Sequence, residues 1–196
     1  MGNTDVVYSN ALQTKAENGD PEAQLQLAEA YIFGNGITEN AEQAEIWALK
    51  AAEQDYAAAM FFLAEGYETE AMTCSDENKA AAKLCYQKAA HWFQKAVDQQ
   101  HVEAMLSLSD LYEDGEGVAR DLSKAFQLRE QAAQLGLAIA MNKLRYCYEK
   151  GIGVEADLGK AAYWEDMFQQ HKEKSPPTDQ IVELIRDWEA IQKRRQ

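Results

Sequence analysis

Three segments of this 196-residue chain place two glycines one residue apart with a branched apolar residue behind them: Gly34–Gly36–Ile37, Gly115–Gly117–Val118 and Gly151–Gly153–Val154. Glycine pairs of this kind can cradle phosphate where backbone amides meet a helix N-terminus. A dinucleotide loop must follow a strand, and a Walker loop ends in Gly-Lys and then Ser or Thr; neither context surrounds these segments. They read as turns. His91, His101 and His171 show neither a His-x3-His pair nor a cysteine cluster of zinc-binding spacing, and His91 beside Trp92 reads as a partly buried helix contact. No Gly-x-Ser-x-Gly nucleophile elbow occurs. Glu29 and Glu65 could act as general acids or bases only in an apolar pocket that raised their pKa, and the sequence displays none. The expectation is a protein with no catalytic residues, no metal and no cofactor.

The glycine pairs sit at a fixed place in a larger repeat. Ala23, Ala59, Ala104 and Ala140 are each followed four residues on by Leu27, Leu63, Leu108 and Leu144, and four further on by Tyr31, Tyr67, Tyr112 and Tyr148. The spacing is 36 residues between the first two alanines and between the last two, but 45 between the middle pair. A second set of anchors follows the tyrosines: Ala44, Ala125 and Ala161, then Trp47, Leu128 and Trp164, with Ala89 and Trp92 displaced by nine residues in the second unit. A fixed period of this size marks stacked supersecondary units.

Each unit reads as helix, turn, helix. Residues four apart share a helix face, so Ala, Leu and Tyr form one stripe. The glycines supply the positive φ that ends the first helix. Asn40, Asp121 and Asp157 are placed to cap the second helix. No single helix pair buries both stripes, so the units must stack. Met60, Met105 and Met141, bordering the stripe, read as core.

The string Ala-x3-Leu-x3-Tyr-x2-Gly-x-Gly-Val-x2-Asp-x2-Lys-Ala-x2-Trp, complete in Ala140, Leu144, Tyr148, Gly151, Gly153, Val154, Asp157, Lys160, Ala161 and Trp164, resembles the Sel-one-like repeat, a relative of the tetratricopeptide repeat. The third unit matches with Leu128 in place of Trp, and the second departs by lacking the Gly-x-Gly turn. The resemblance covers about residues 12–170. It implies an all-α fold, a right-handed α-α superhelical solenoid serving as a protein-interaction scaffold or adaptor. Its secreted relatives carry a regular cysteine pair in each unit, a pattern absent from Cys74, Cys85 and Cys147. A Cys74–Cys85 bridge is disfavoured in a reducing compartment, and Cys147 reads as a small apolar core residue.

Organisation follows from these anchors. The chain reads as one solenoid domain over 1–196: a degenerate N-terminal cap at 1–19, four repeats at about 20–56, 57–101, 102–137 and 138–174, and a C-terminal capping helix at 179–195. That last helix is announced by Pro176-Pro177 and by the stripe Ile181, Leu184, Ile185, Trp188 and Ile191. No apolar run of about 18 residues is available to span a bilayer, and Met1–Asp5 lacks the basic and apolar regions of a secretory signal. A cytoplasmic location is the expectation.

The surface must then carry function. A net charge of −14 repels nucleic acid and anionic lipid and speeds association with a basic partner. Positions 2, 6 and 9 after each anchoring alanine fall opposite the packing stripe. They give Leu25, Glu29 and Ile32; Phe61, Glu65 and Glu68; Leu106, Asp110 and Glu113; and Asn142, Tyr146 and Glu149. By analogy with tetratricopeptide solenoids, this column would line a concave groove of apolar anchors flanked by carboxylates. It suits a basic peptide or a protein with a basic amphipathic segment, with no role for nucleic acid or membrane insertion. The same residues could instead be ordinary packing and solvated acids. The nine-residue insertion predicts a second helix lengthened at its start by about two turns, with Ser75 or Asp76 as its cap. A second functional reading is an immunity or inhibitor protein that blocks one basic toxin or enzyme; a third is a hydrolase with its site in the groove.

Overall fold

The computed structural model describes residues 7–74 and 78–174, with side chains as far as His171. Among these residues are nine α-helices and no strand: α1 (Asn10–Glu17), α2 (Pro21–Phe33), α3 (Ala41–Ala52), α4 (Ala57–Thr73), α5 (Lys79–Asp98), α6 (Val102–Asp114), α7 (Leu122–Gln134), α8 (Ala138–Lys150) and α9 (Leu158–Lys174). Packing divides them between Ala119 and Arg120 into two compact units, α1–α6 and α7–α9. The proposed C-terminal helix at 179–195, Ser75 and Asp76 lie outside the described residues.

In the first unit the anchoring residues fill the core. Ala59 and Ala104 are fully buried, and Leu27, Leu63 and Leu108 nearly so. An alanine there lets two helix backbones approach closely, while leucine fills the space beside it. Leu12 and Ala16 of α1 join Ala23 and Leu27 in one cluster, with Tyr8, Tyr31 and Trp47 against it. The N-terminal helix thus extends the core of the first repeat. In the second unit Ala140 and Leu144 are buried beneath α7, Met141 and Cys147 with them.

The second helices begin on the residues placed to cap them. The side chains of Asn40, Asp121 and Asp157 accept hydrogen bonds of 3.0 Å from the amides of Gln43, Lys124 and Lys160. Asp20 does the same for α2, with Pro21 at its first position. Each of these bonds satisfies an amide that the helix leaves without an internal partner.

The Gly-x-Gly turn has two separate jobs. Its first glycine, Gly34, Gly115 or Gly151, takes a left-handed conformation and closes the helix with a backbone bond to the residue four before it. Its second glycine permits contact with an earlier segment. A Cβ on Gly117 would stand 2.3 Å from the carbonyl oxygen of Tyr86 in α5, and one on Gly153 would stand 2.0 Å from that of Leu122 in α7. The turn thus rests directly on the backbone of a preceding second helix. Only glycine fits.

The second repeat lacks this turn, and its helices run on. The α4 helix has 17 residues against 13 in α2, and α5 has 20 against 12 in α3. The extra length of α5 lies before Ala89, about two turns, as the alanine-rich insertion implies. Its cap differs from expectation: Asn78 holds that position and makes no side-chain cap bond.

A further repeat column is conformational. Gly19, Asp55, Gln100 and Gly136 all adopt positive φ at the link between one helix pair and the next. In each link the following residue's amide reaches back to a helix carbonyl, as His101 does to Ala96 at 3.0 Å and Leu137 to Ala132 at 3.0 Å.

Candidate functional site

The residues singled out opposite the packing stripe separate into two groups. Leu25 is buried in the core, because α2 is covered on more than one face. Phe61 is half-buried and already engaged. Its ring stacks on His101 at 4.5 Å between centroids and meets Phe93 at 5.8 Å. Leu106, Glu29, Asp110 and Glu113 are half-buried, as is Tyr146 in the second unit, where Lys150 lies 6.0 Å from its ring.

Glu65 and Glu68 are the informative pair. They lie one turn apart near the middle of α4 and are both half-buried. Burial raises the pKa of Glu65, and Glu103 adds to the effect. Glu68 is pushed up to about 7, first by burial and then by the charges of Asp110, Glu65 and Glu116. All three neighbouring charges are carboxylates. The fold therefore gathers Glu65 and Glu68 from α4, Asp110 from α6 and Glu116 from the following turn into one negative locus. The sequence displayed no pocket to raise a carboxyl pKa; the structure corrects that reading, since packing of α4 against its neighbours supplies the desolvation.

His101 organises one edge of this region. Its Nδ1 accepts from the Ala104 amide at 3.3 Å, capping α6, while its ring stacks on Phe61. Burial lowers its pKa, consistent with a neutral ring whose Nδ1 carries no proton. Tyr86 of α5 donates its hydroxyl to Glu116, and burial and Glu116 push its pKa up to about 12. On the opposite side of α4, Tyr67 hydrogen-bonds Glu45 of α3 and lies 4.6 Å from the Lys88 ammonium.

Sequence reasoning missed Glu116, Tyr86, Phe93 and Glu103. Glu116 had one visible signal: it fills the middle of Gly-x-Gly, where the other turns carry Asn35 and Ile152. His91 is corrected as well. It is exposed, with its ring edge-on to Trp92 at 5.6 Å, because that face of α5 turns to solvent. Cys74, Cys85 and Cys147 are all free thiols. Among the described residues no group of three or more His, Cys, Asp or Glu is arranged to hold a metal ion. None of the described helices is long and apolar enough to cross a membrane.

Comparison with known proteins agrees with the repeat anatomy. The Sel1 repeat family model matches residues 21–56, 57–91, 86–101, 102–137 and 138–164. The short extra match, 86–101, takes up the second unit again after the insertion. Among solved structures, a Sel1 repeat protein from Oxalobacter formigenes is 28% identical, with a TM-score of 0.69 over 81% of this chain and 61% of that one. The present chain thus spans about 61% of that relative's length. A sel1 repeat protein from Klebsiella pneumoniae is 24% identical, with a TM-score of 0.56 over 85% of this chain and 74% of the other. A protective antigen of uropathogenic Escherichia coli with an SLR fold is 27% identical over 86% of this chain and 41% of that one, at a TM-score of 0.43. No sequence match is found among curated proteins. Repeats of this type are generally protein–protein interaction scaffolds. With matched segments running from residue 21 to residue 164, the chain belongs to the Sel1 repeat family.

Proposed function

We propose that this protein is a non-catalytic interaction module whose α4–α6 face receives a basic peptide or a basic amphipathic segment of a protein partner. One observation carries the reading: Glu65, Glu68, Asp110 and Glu116 converge on a half-buried locus, where burial first and then the neighbouring carboxylates push the Glu68 pKa up to about 7. Crowded, half-buried carboxylates raise the free energy of the unbound protein, and an incoming ammonium or guanidinium relieves it. Binding therefore draws on relief of repulsion as well as on new ion pairs. Phe61 and Leu106, at equivalent positions of the two first helices, offer partly exposed apolar surface beside the acids. Glu29 and Glu113 belong to the same proposed binding column of the first unit, and Leu25 supports it from within the core.

Charge reversal tests this. Glu65→Lys with Asp110→Lys should weaken binding of an amphipathic Lys/Leu helical peptide about tenfold or more while leaving helicity unchanged. Undiminished affinity would sink the proposal. The net charge favours a second reading, an inhibitor of one basic folded protein, because a field of −14 accelerates that encounter. It would be marked by association rates that fall steeply with salt. A carboxyl that titrates near 7 is also what acid–base catalysis requires. A hydrolase reading therefore demands turnover that Glu68→Gln abolishes.

A further inference from the structure

The lengthened α5 carries a charge opposite to that of its surroundings. Its lysines, Lys79, Lys83, Lys88 and Lys95, are opposed within the helix by Asp98 alone, whereas α4 and α6 carry acids and no lysine or arginine. All four lysines are exposed, and among the described residues none is paired with a carboxylate. Lys88 and Lys95 rest instead over the rings of Tyr67 and Trp92, each at 4.6 Å. Among the described residues Lys79 and Lys83 have no such neighbour. They stand four residues apart on one helix face, where like charges repel each other.

These two lysines border a cleft of about 640 Å³ within the first unit. One wall is the extended start of α5: Lys79, Ala82, Lys83, Tyr86 and Gln87. The other is the Gly115–Ala119 turn, seated firmly because Gly117 touches the Tyr86 backbone. Ala82, Val118 and Ala119 make the lining partly apolar. Glu116 also borders the cleft, but the Tyr86 hydroxyl engages its carboxylate. The same hairpin leaves Met72 and Leu84 72% and 55% exposed, large apolar side chains with no cover in the described chain. The volume is that of an ordinary ligand or peptide side-chain pocket.

We infer that this cleft is a second docking site, specific for an acidic, partly apolar peptide segment of a protein partner. It adjoins the acidic α4–α6 face, with Glu116 at the border of both, and is opposite to it in preference. Carboxylates of the ligand would pair with Lys79 and Lys83, and an apolar side chain would enter between Ala82 and Val118 or cover Leu84. The protein's overall negative charge does not prevent this at physiological salt. Screening over about 8 Å leaves the local lysines in control.

The test is fluorescence anisotropy with two labelled helical peptides of equal length, one Glu/Leu and one Lys/Leu, in about 0.15 M salt. It compares the wild type, Lys79→Glu with Lys83→Glu, and Glu65→Lys with Asp110→Lys. The inference predicts that the Glu/Leu peptide loses about tenfold or more in affinity to the lysine reversal and nothing to the acid reversal. The Lys/Leu peptide, which probes the other face, should behave in the opposite way, so failure of one reading is distinguishable from failure of the other. The exposed lysine positions keep the variant folded, checked by circular dichroism. Absence of Glu/Leu binding, or binding insensitive to the lysine reversal, would overturn the inference. So would self-association of the wild type that the lysine reversal abolishes, which would assign the cleft to a second copy of the chain.

Discussion

The two glycines of one turn should differ sharply in what they tolerate. Gly151 and Gly153 have nearly the same φ, +72° and +70°. Replacing either by alanine imposes a left-handed conformation on an L-residue, at about 1–2 kcal/mol. For Gly151 the cost ends there, because its nearest neighbours would lie in ordinary contact at 3.5 Å and beyond. At Gly153 the new Cβ would stand 2.0 Å from the Leu122 carbonyl oxygen, 2.7 Å from its carbon and 3.1 Å from the Phe126 Cβ. Backbone cannot rotate aside, so the turn must lift from α7 or α7 must move, which adds about 1–3 kcal/mol of overpacking cost. Urea unfolding followed by far-ultraviolet circular dichroism should therefore place Gly153→Ala about 2–5 kcal/mol below wild type and Gly151→Ala about 1–2 below it. Losses equal to within about 0.5 kcal/mol would refute the assignment of separate roles to the two glycines.

Three further outcomes follow from particular residues. The folded pKa of Glu68, about 7, lies above its ordinary 4.5, so its contribution to stability is fully present below pH 4.5, is lost as pH rises to about 7, and is level above that. Glu68→Gln should then raise stability at pH 8 by about 2 kcal/mol and flatten the pH dependence of the urea midpoint; an unchanged midpoint at pH 8 would contradict the crowding. His101 has the opposite sign: its lowered pKa means stability present above the ordinary histidine range and lost as pH falls. Replacing it by alanine removes both the α6 cap and the stack on Phe61, costing about 2 kcal/mol at pH 7.5 in the same assay. Gln100→Gly should stabilise the fold by up to about 1 kcal/mol, because Gln100 holds a positive φ of 62° where glycine stands at other links; a lower thermal midpoint would count against this.

The scaffold was readable because repetition multiplies weak signals. Ala59, Leu63 and Tyr67 mean little alone, but the same spacing at Ala104, Leu108 and Tyr112 fixes the helix period and its buried face. The Asx caps were equally plain, since an amide-capping side chain must stand directly before the helix it starts. What stayed hidden depends on neighbours rather than period. Leu25 and Phe61 hold equivalent positions, yet one is buried and the other stacks on a histidine. Asp55 and Gln100 conceal a positive φ that Gly19 and Gly136 would have announced. Of the negative locus, Glu65, Glu68 and Asp110 were visible as a column of acids. Their crowding with Glu116, and the resulting pKa, arises only when the Gly115–Gly117 turn is brought onto α5.

Amide hydrogen exchange with and without the Lys/Leu helical peptide addresses the proposed function most directly. Added peptide should slow exchange in α4 and α6, around Glu65, Glu68 and Asp110, and should release protons near pH 7 as Glu68 gives up its own. Protection confined to α3, α5 or α7, with α4 and α6 unchanged, would contradict a docking face built on these carboxylates.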